Sequence, residues 1–171
     1  MTTYLKEGQR WPGSEWLKDH PAFLEKTYIL TERWFKAAYP LFKRLNSPRA
    51  ERLLIWTEQK AKSYLFNCQM CGQCILHSTG MTCPMNCPKN LRNGPCGGVR
   101  ANGHCEVIPE RMCIWVQAWE RSRAMPLFGD EIQQLQPPVN RQLQNTSAWI
   151  NMAEGIDQQY PAGWIPLAEV K

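Results

Sequence analysis

Cys68-Gln69-Met70-Cys71-Gly72-Gln73-Cys74, then Cys83-Pro84-Met85-Asn86-Cys87-Pro88, then Cys96, Cys105 and Cys113, is the stretch that decides how this chain is read. All eight cysteines of the 171 residues fall within it, spaced C-x2-C-x2-C-x8-C-x3-C-P-x7-C-x8-C-x7-C, and the flanking sequence has none. Eight thiolates match two four-thiolate sites. The close C-x2-C-x2-C step suits a cubane cluster that takes three ligands from one loop. The expected cofactors are therefore two [4Fe-4S] clusters. Zinc is the rival, because it also takes four thiolates and could serve as a staple, but three closely stepped cysteines are awkward around a tetrahedral ion.

How the eight divide is less clear from spacing. Cys68, Cys71 and Cys74 resemble the opening of a bacterial ferredoxin loop, and Cys87-Pro88 resembles its close, where proline lacks an N-H and turns the chain away. Here Cys83 follows Cys74 after eight residues, so the motif is stretched. The preferred partition gives Cys68, Cys71, Cys74 and Cys113 to one cluster and Cys83, Cys87, Cys96 and Cys105 to the other. Exchanging Cys87 and Cys113 is nearly as good. In the turn Asn93-Gly94-Pro95-Cys96-Gly97-Gly98, residues without side chains let backbone N-H groups approach sulfur. Lys89, Arg92 and Arg100 read first as surface charge. His77 and His104 lie inside the module and suit hydrogen bonding around the ligands, and His20 reads as a helix-surface residue. No Ser-His-Asp order, P-loop or G-x-G-x-x-G run occurs, so no catalytic side chain is assigned.

The rest of the composition sets bounds. A hydrophobic content of 43% with eight tryptophans can build one domain core. The formal net charge of +5 counts the thiols as neutral, and thiolate-held clusters would offset it. Lys and Arg are interleaved with acids and form no run, which argues against a nucleic-acid partner. There is no apolar leader region and no stretch approaching the roughly 18 apolar residues of a membrane span, so a cytoplasmic protein without membrane insertion is expected. A reducing cytosol favours metal ligands over disulfides.

Three regions follow: a helical N-terminal region over 1–66, a cysteine-rich metal-cluster module over 67–123 ending in a helix, and an extended C-terminal arm over 124–171. The fold class is mainly α, with a loop-rich cysteine module and a Pro-rich arm. Ser14 caps a short helix through Glu15, Trp16, Leu17 and Lys18, and Pro21 starts the next. Its aromatic stripe, with Phe23, Tyr28, Trp34, Phe35, Tyr39 and Phe42, is interrupted by Pro40 and seeks a surface within the domain or on a partner. Ser47, Pro48 and Glu51 mark the start of a helix running to about Phe66. Pro109 predicts a third helix through Cys113 and Trp115 to Arg121. In the arm, one short helix is capped at Thr146 or Ser147 and ended by Gly155.

The run Cys83 to Val99, with Asn102-Gly103-His104-Cys105-Glu106-Val107 and Cys113-Ile114-Trp115, resembles the cysteine-rich C-terminal domain of methylenetetrahydrofolate reductases and the separate MetV-type subunits. The resemblance is strong over about residues 60–123 and looser in the helical region before it. It implies a partner, a MetF-type flavoprotein whose (β/α)8 barrel this chain is too short to contain. FMN or FAD and the folate would then bind on that partner. This chain would pass electrons to or from the flavin, with a separate electron carrier supplying them, as 5,10-methylenetetrahydrofolate is reduced to 5-methyltetrahydrofolate.

Overall fold

The computed structural model describes residues 16, 19–45 and 47–165. The short helix expected at Ser14 lies outside them except for Trp16. Among the described residues there are four α-helices and no strand.

Helix α1 (Pro21–Leu45) begins at the proline that its sequence placed at the first turn. It runs through Pro40 where an interruption was expected. Leu24 and Glu25 are its deepest side chains. Tyr28 stacks on Trp149 and Phe35 packs against it at a tilt, with ring centroids 5.6 and 5.8 Å apart, while Trp34 stays 73% exposed. The aromatic stripe is thus divided, one edge packed within the chain and the other open.

Helix α2 (Pro48–Phe66) has the bounds read from Ser47-Pro48 and Phe66, although the Ser47 side chain makes no capping hydrogen bond. Asn67 ends it in the left-handed region at φ 51°, its N-H donating to Ser63 O and the N-H of Cys68 to Lys62 O. The chain is thereby turned and delivered to Cys68.

The cysteine region is built from turns, with short 3-10 turns at His77–Thr79 and Pro84–Asn86. Helix α3 (Ile114–Ser122) opens later than Pro109 predicts, and Cys113 is its N-cap residue, not a member of its first turns. The cause is a folded-back loop before it. Cys105 N-H donates to Arg111 O and Cys113 N-H to Gly103 O, both at 2.9 Å, and His104 pairs with Met112 in an isolated bridge. Backbone groups committed to that loop are not free to start a helix.

Residues 124–165 were expected to be an extended arm. They carry 3-10 turns at Gly129–Gln133 and Arg141–Leu143 and helix α4 (Ala148–Glu154), with Ser147 accepting from Ile150 N-H and Gly155 closing at φ 69° as its sequence predicts. They also return to the rest of the chain through buried hydrogen bonds. The fully buried Glu25 carboxylate accepts from the N-H groups of Leu127 and Phe128 at 2.9 and 2.7 Å. Glu58 accepts from Ser147 Oγ, Ala148 N-H and Lys62 Nζ, at 2.6, 3.2 and 2.6 Å. Around Leu24, Leu76, Met81, Cys83, Met85 and Met125 these contacts enclose the larger core. A smaller one holds Cys113, Trp115 and Ala118.

Candidate metal centre

The eight free thiols wall two cavities, four in each. Cys68, Cys71, Cys74 and Cys83 line the first. Cys87, Cys96, Cys105 and Cys113 line the second. Relative to the partition preferred from spacing, Cys83 and Cys113 have changed places, and the exchange of Cys87 with Cys113 does not describe the grouping either. The reason lies in the Pro84–Asn86 turn. Cys83 caps its start and Cys87 its end, so the two sulfurs leave one turn toward opposite cavities.

The first loop coils by alternating handedness. Met70 and Gly72 sit in the left-handed region at φ 48° and 74°, and Met70 N-H reaches Cys68 Sγ at 3.3 Å. A side chain at Gly72 would meet the backbone carbonyl of Leu143, so only glycine fits there. Residues 75–87 are buried apart from His77. Burial, followed by the neighbouring Cys74 thiol, pushes Cys68 up to about 12. Burial and the thiols of Cys68, Cys71 and Cys74 likewise push Cys83 up, whereas the Met85 N-H stabilises its thiolate. Burial raises Cys71 as well, and the three sulfurs of Cys68, Cys71 and Cys83 cannot ionise together without a cation among them or beside them.

The second cavity is held differently. Its wall from residue 93 to 112 is exposed or half-buried throughout, and Cys113 at the start of α3 together with buried Trp115 closes the back. Trp115 Nε1 donates to Leu91 O at 3.3 Å, and Arg111 Nη2 to Asn86 O at 3.0 Å. Lys89 and Glu106 form an ion pair at the mouth, with Glu106 3.5 Å from Cys96 Sγ. That pair raises Lys89 and lowers Glu106 from their ordinary values.

Among the described residues no group of three or more His, Cys, Asp and Glu side chains is set to hold a metal ion. What fits a thiolate-held group is the chemistry of the first cavity. Lys62 and Arg92 line it beside the four sulfurs. Burial alone would lower Lys62, but Cys74 and Glu58 outweigh it and hold the ammonium above its ordinary value. Arg92 is 6% exposed, and its Nε and Nη2 have no hydrogen-bond partner. Reading Arg92 as surface charge was therefore mistaken; the signal available in sequence was only its place five residues after Cys87. A buried guanidinium, a half-buried ammonium and four thiols are a donor set for an anionic, sulfur-rich group.

His77 stacks on Tyr28 at 5.1 Å and sits 3.4 Å from Glu131, with Nδ1 buried and unpartnered. His104 Nδ1 lies 2.6 Å from Pro109 O, within the loop that precedes α3. His20 Nδ1 is 2.6 Å from Trp16 O on an exposed face. None of the three histidines lines either four-thiol cavity. Among the described residues no helix is long and apolar enough to cross a membrane.

A family model described as "Methylene-tetrahydrofolate reductase C terminal" matches residues 47–142. The match starts at the N-cap of α2, contains all eight cysteines and reaches into the segment that folds back over the first cavity. No curated protein and no solved structure matches the chain.

Proposed function

The chain belongs to the methylenetetrahydrofolate reductase C-terminal family, and from that premise we propose that it is the iron-sulfur electron-transfer subunit of a methylenetetrahydrofolate reductase complex. The partner in this reading is a MetF-type flavoprotein, which carries FMN or FAD and reduces 5,10-methylenetetrahydrofolate to 5-methyltetrahydrofolate. The observation that carries the proposal is the four-and-four grouping of the cysteines around two separate cavities. When bound there, two [4Fe-4S] clusters would supply one-electron chemistry, which a flavin can convert to the two-electron chemistry of hydride transfer.

The chain's own residues have defined tasks in this reading. Cys68, Cys71, Cys74 and Cys83 hold one group, and Cys87, Cys96, Cys105 and Cys113 hold the other. Met70 and Met85 N-H groups favour thiolate at Cys68 and Cys83. Lys62 and Arg92 offset the negative charge that four thiolates bring into a buried space. Helix α2 fixes the first loop at Asn67, and helix α3 fixes Cys113.

The test is anaerobic purification from the native host, with iron, acid-labile sulfide and zinc measured on the same sample. About eight irons and eight sulfides per chain are expected for two cubane clusters, with an EPR signal on reduction and a co-purifying flavoprotein. Zinc with neither iron nor sulfide would overturn the electron-transfer role and leave a zinc-stabilised structural subunit.

A further inference from the structure

Arg92 is held from behind and open in front. Its Nη1 donates to Gln73 O at 3.0 Å. Gln73, 1% exposed, is itself fixed: its Nε2 donates to Asp157 O at 2.9 Å and its Oε1 accepts from Asn140 N-H at 2.7 Å. Nε and Nη2 share the other edge of the guanidinium, and both are buried without a hydrogen-bond partner. Among the described residues no carboxylate pairs with this charge. The groups that act on it are the thiols of Cys71, Cys74 and Cys83, beside it in the first cavity, with Cys71 also within hydrogen-bonding reach of the guanidinium.

A buried guanidinium with one edge unpartnered and no carboxylate beside it is costly to keep for packing alone, and its N-H fork suits a pair of acceptors on one anionic group. The second cavity has no equivalent. There Lys89 is paired with Glu106 at the surface, side chains 41% and 38% exposed, and Arg111 donates to Asn86 O. Lys62 in the first cavity is already matched by Glu58. Arg92 is therefore the charge, matched by no carboxylate among the described residues, that distinguishes the two sites.

We propose that Arg92 is a fifth binding residue of the first site, donating through its Nε–Nη2 edge to sulfur atoms of the bound cluster and making that cluster the more easily reduced of the two. The inference rests on the iron-sulfur reading above. Reduction adds one electron from a one-electron reductant and makes or breaks no bond in the protein. The added negative charge is stabilised by a fixed cation in a poorly solvated space, and N-H donors to sulfur act in the same direction.

The experiment is an EPR-monitored redox titration of the anaerobically purified full chain, as wild type, Arg92→Gln, Arg92→Lys and Lys89→Gln. Arg92→Gln should make one cluster about tenfold harder to reduce, equivalent to 59 mV for a one-electron couple, and leave the other unmoved. Arg92→Lys should recover part of the shift, because it returns the charge without the fork. Lys89→Gln should move neither midpoint comparably. If Arg92→Gln fails to assemble, pulsed EPR of wild-type protein with 15N-guanidino-arginine decides, since one reduced cluster should show a nitrogen coupling from the label. Full iron content with unchanged midpoints in the variants, or with no such coupling, overturns the role of Arg92 and leaves the iron-sulfur reading intact. Absence of iron overturns both.

Discussion

The two cysteine cavities have the same number of thiols and opposite surroundings. The first is enclosed by the end of α2, a buried loop and the returning segment before α4, with buried Arg92 and half-buried Lys62 beside its sulfurs. The second is a shell of exposed turns over one helix start, with its Lys89–Glu106 pair in water. On the function proposed above, equal sets of four thiols would be supported by tertiary packing in one place and by the bound group itself in the other. The first should keep much of its shape without a cofactor, and the second should depend on one.

The largest break in this comparison comes from removing ligands. Cys83→Ser should abolish the same spectroscopic component as Cys68→Ser, and Cys113→Ser the same one as Cys96→Ser, each variant retaining about half of the iron. Iron analysis with EPR of the four variants checks the grouping directly. If Cys113→Ser and Cys68→Ser removed the same component, the partition first drawn from spacing would stand and the observed grouping would fall.

Next in size is the brace on the first cavity. The Glu58 side chain is 2% exposed and gathers Lys62, Ser147 and Ala148. Glu58→Ala leaves Lys62 buried without its carboxylate and removes an acceptor at the start of α4, at a cost of about 3–5 kcal/mol. Glu106→Ala breaks an exposed pair and should leave the unfolding midpoint unchanged. Urea denaturation of the two variants measures the contrast.

Features fixed by neighbours in sequence were legible before the structure. Ser47-Pro48 placed the start of α2, and Ser147 and Gly155 bounded α4, because capping is settled within one turn of chain. The gathering of all cysteines in one module was equally plain. The partition was not, since Cys74 to Cys83, Cys87 to Cys96 and Cys96 to Cys105 are all spaced by eight residues. It is decided by the 3-10 turn between Cys83 and Cys87, which sends their sulfurs apart. Arg92 was misread for a related reason: its burial depends on Gln73, which is pinned by residues 67 and 84 positions later. The start of α3 was missed because the 103–113 loop consumes the backbone groups a helix from Pro109 would have needed.

Two glycines test the same contrast with a smaller change. At Gly72 an added methyl meets left-handed backbone and the carbonyl of Leu143, and neither can move cheaply. Gly72→Ala should cost about 3 kcal/mol, from about 1 for the backbone and about 2 for overpacking. At Gly98 the three atoms nearest the methyl belong to the carboxylate of exposed Glu106, which can swing into water. Gly98→Ala should cost less than about 0.5 kcal/mol. Equal thermal shifts in the two variants would remove the distinction between a packed and a compliant wall.

The smallest effect lies at the outer end of the brace. Glu154 in α4 accepts from Tyr39 Oη at 2.6 Å and Lys43 Nζ at 3.0 Å, tying α4 to α1. The Tyr39 hydrogen bond, then that of Lys43, lowers the Glu154 carboxyl below its ordinary value. A carboxylate depressed on folding contributes its stability above the unfolded pKa and loses it as pH falls through the folded one. The pair is largely solvated, so Glu154→Gln should cost at most about 1 kcal/mol at neutral pH. Comparing wild type and variant by urea denaturation, the gap should hold from pH 7 down to near pH 5 and close on further acidification. It should close with the iron content of the first site unaffected, because α4 touches that cavity through Ala148 at its start and not through Glu154 at its end. A loss of iron from Glu154→Gln would mean that the whole length of α4, and not only its capped beginning, braces the first cavity.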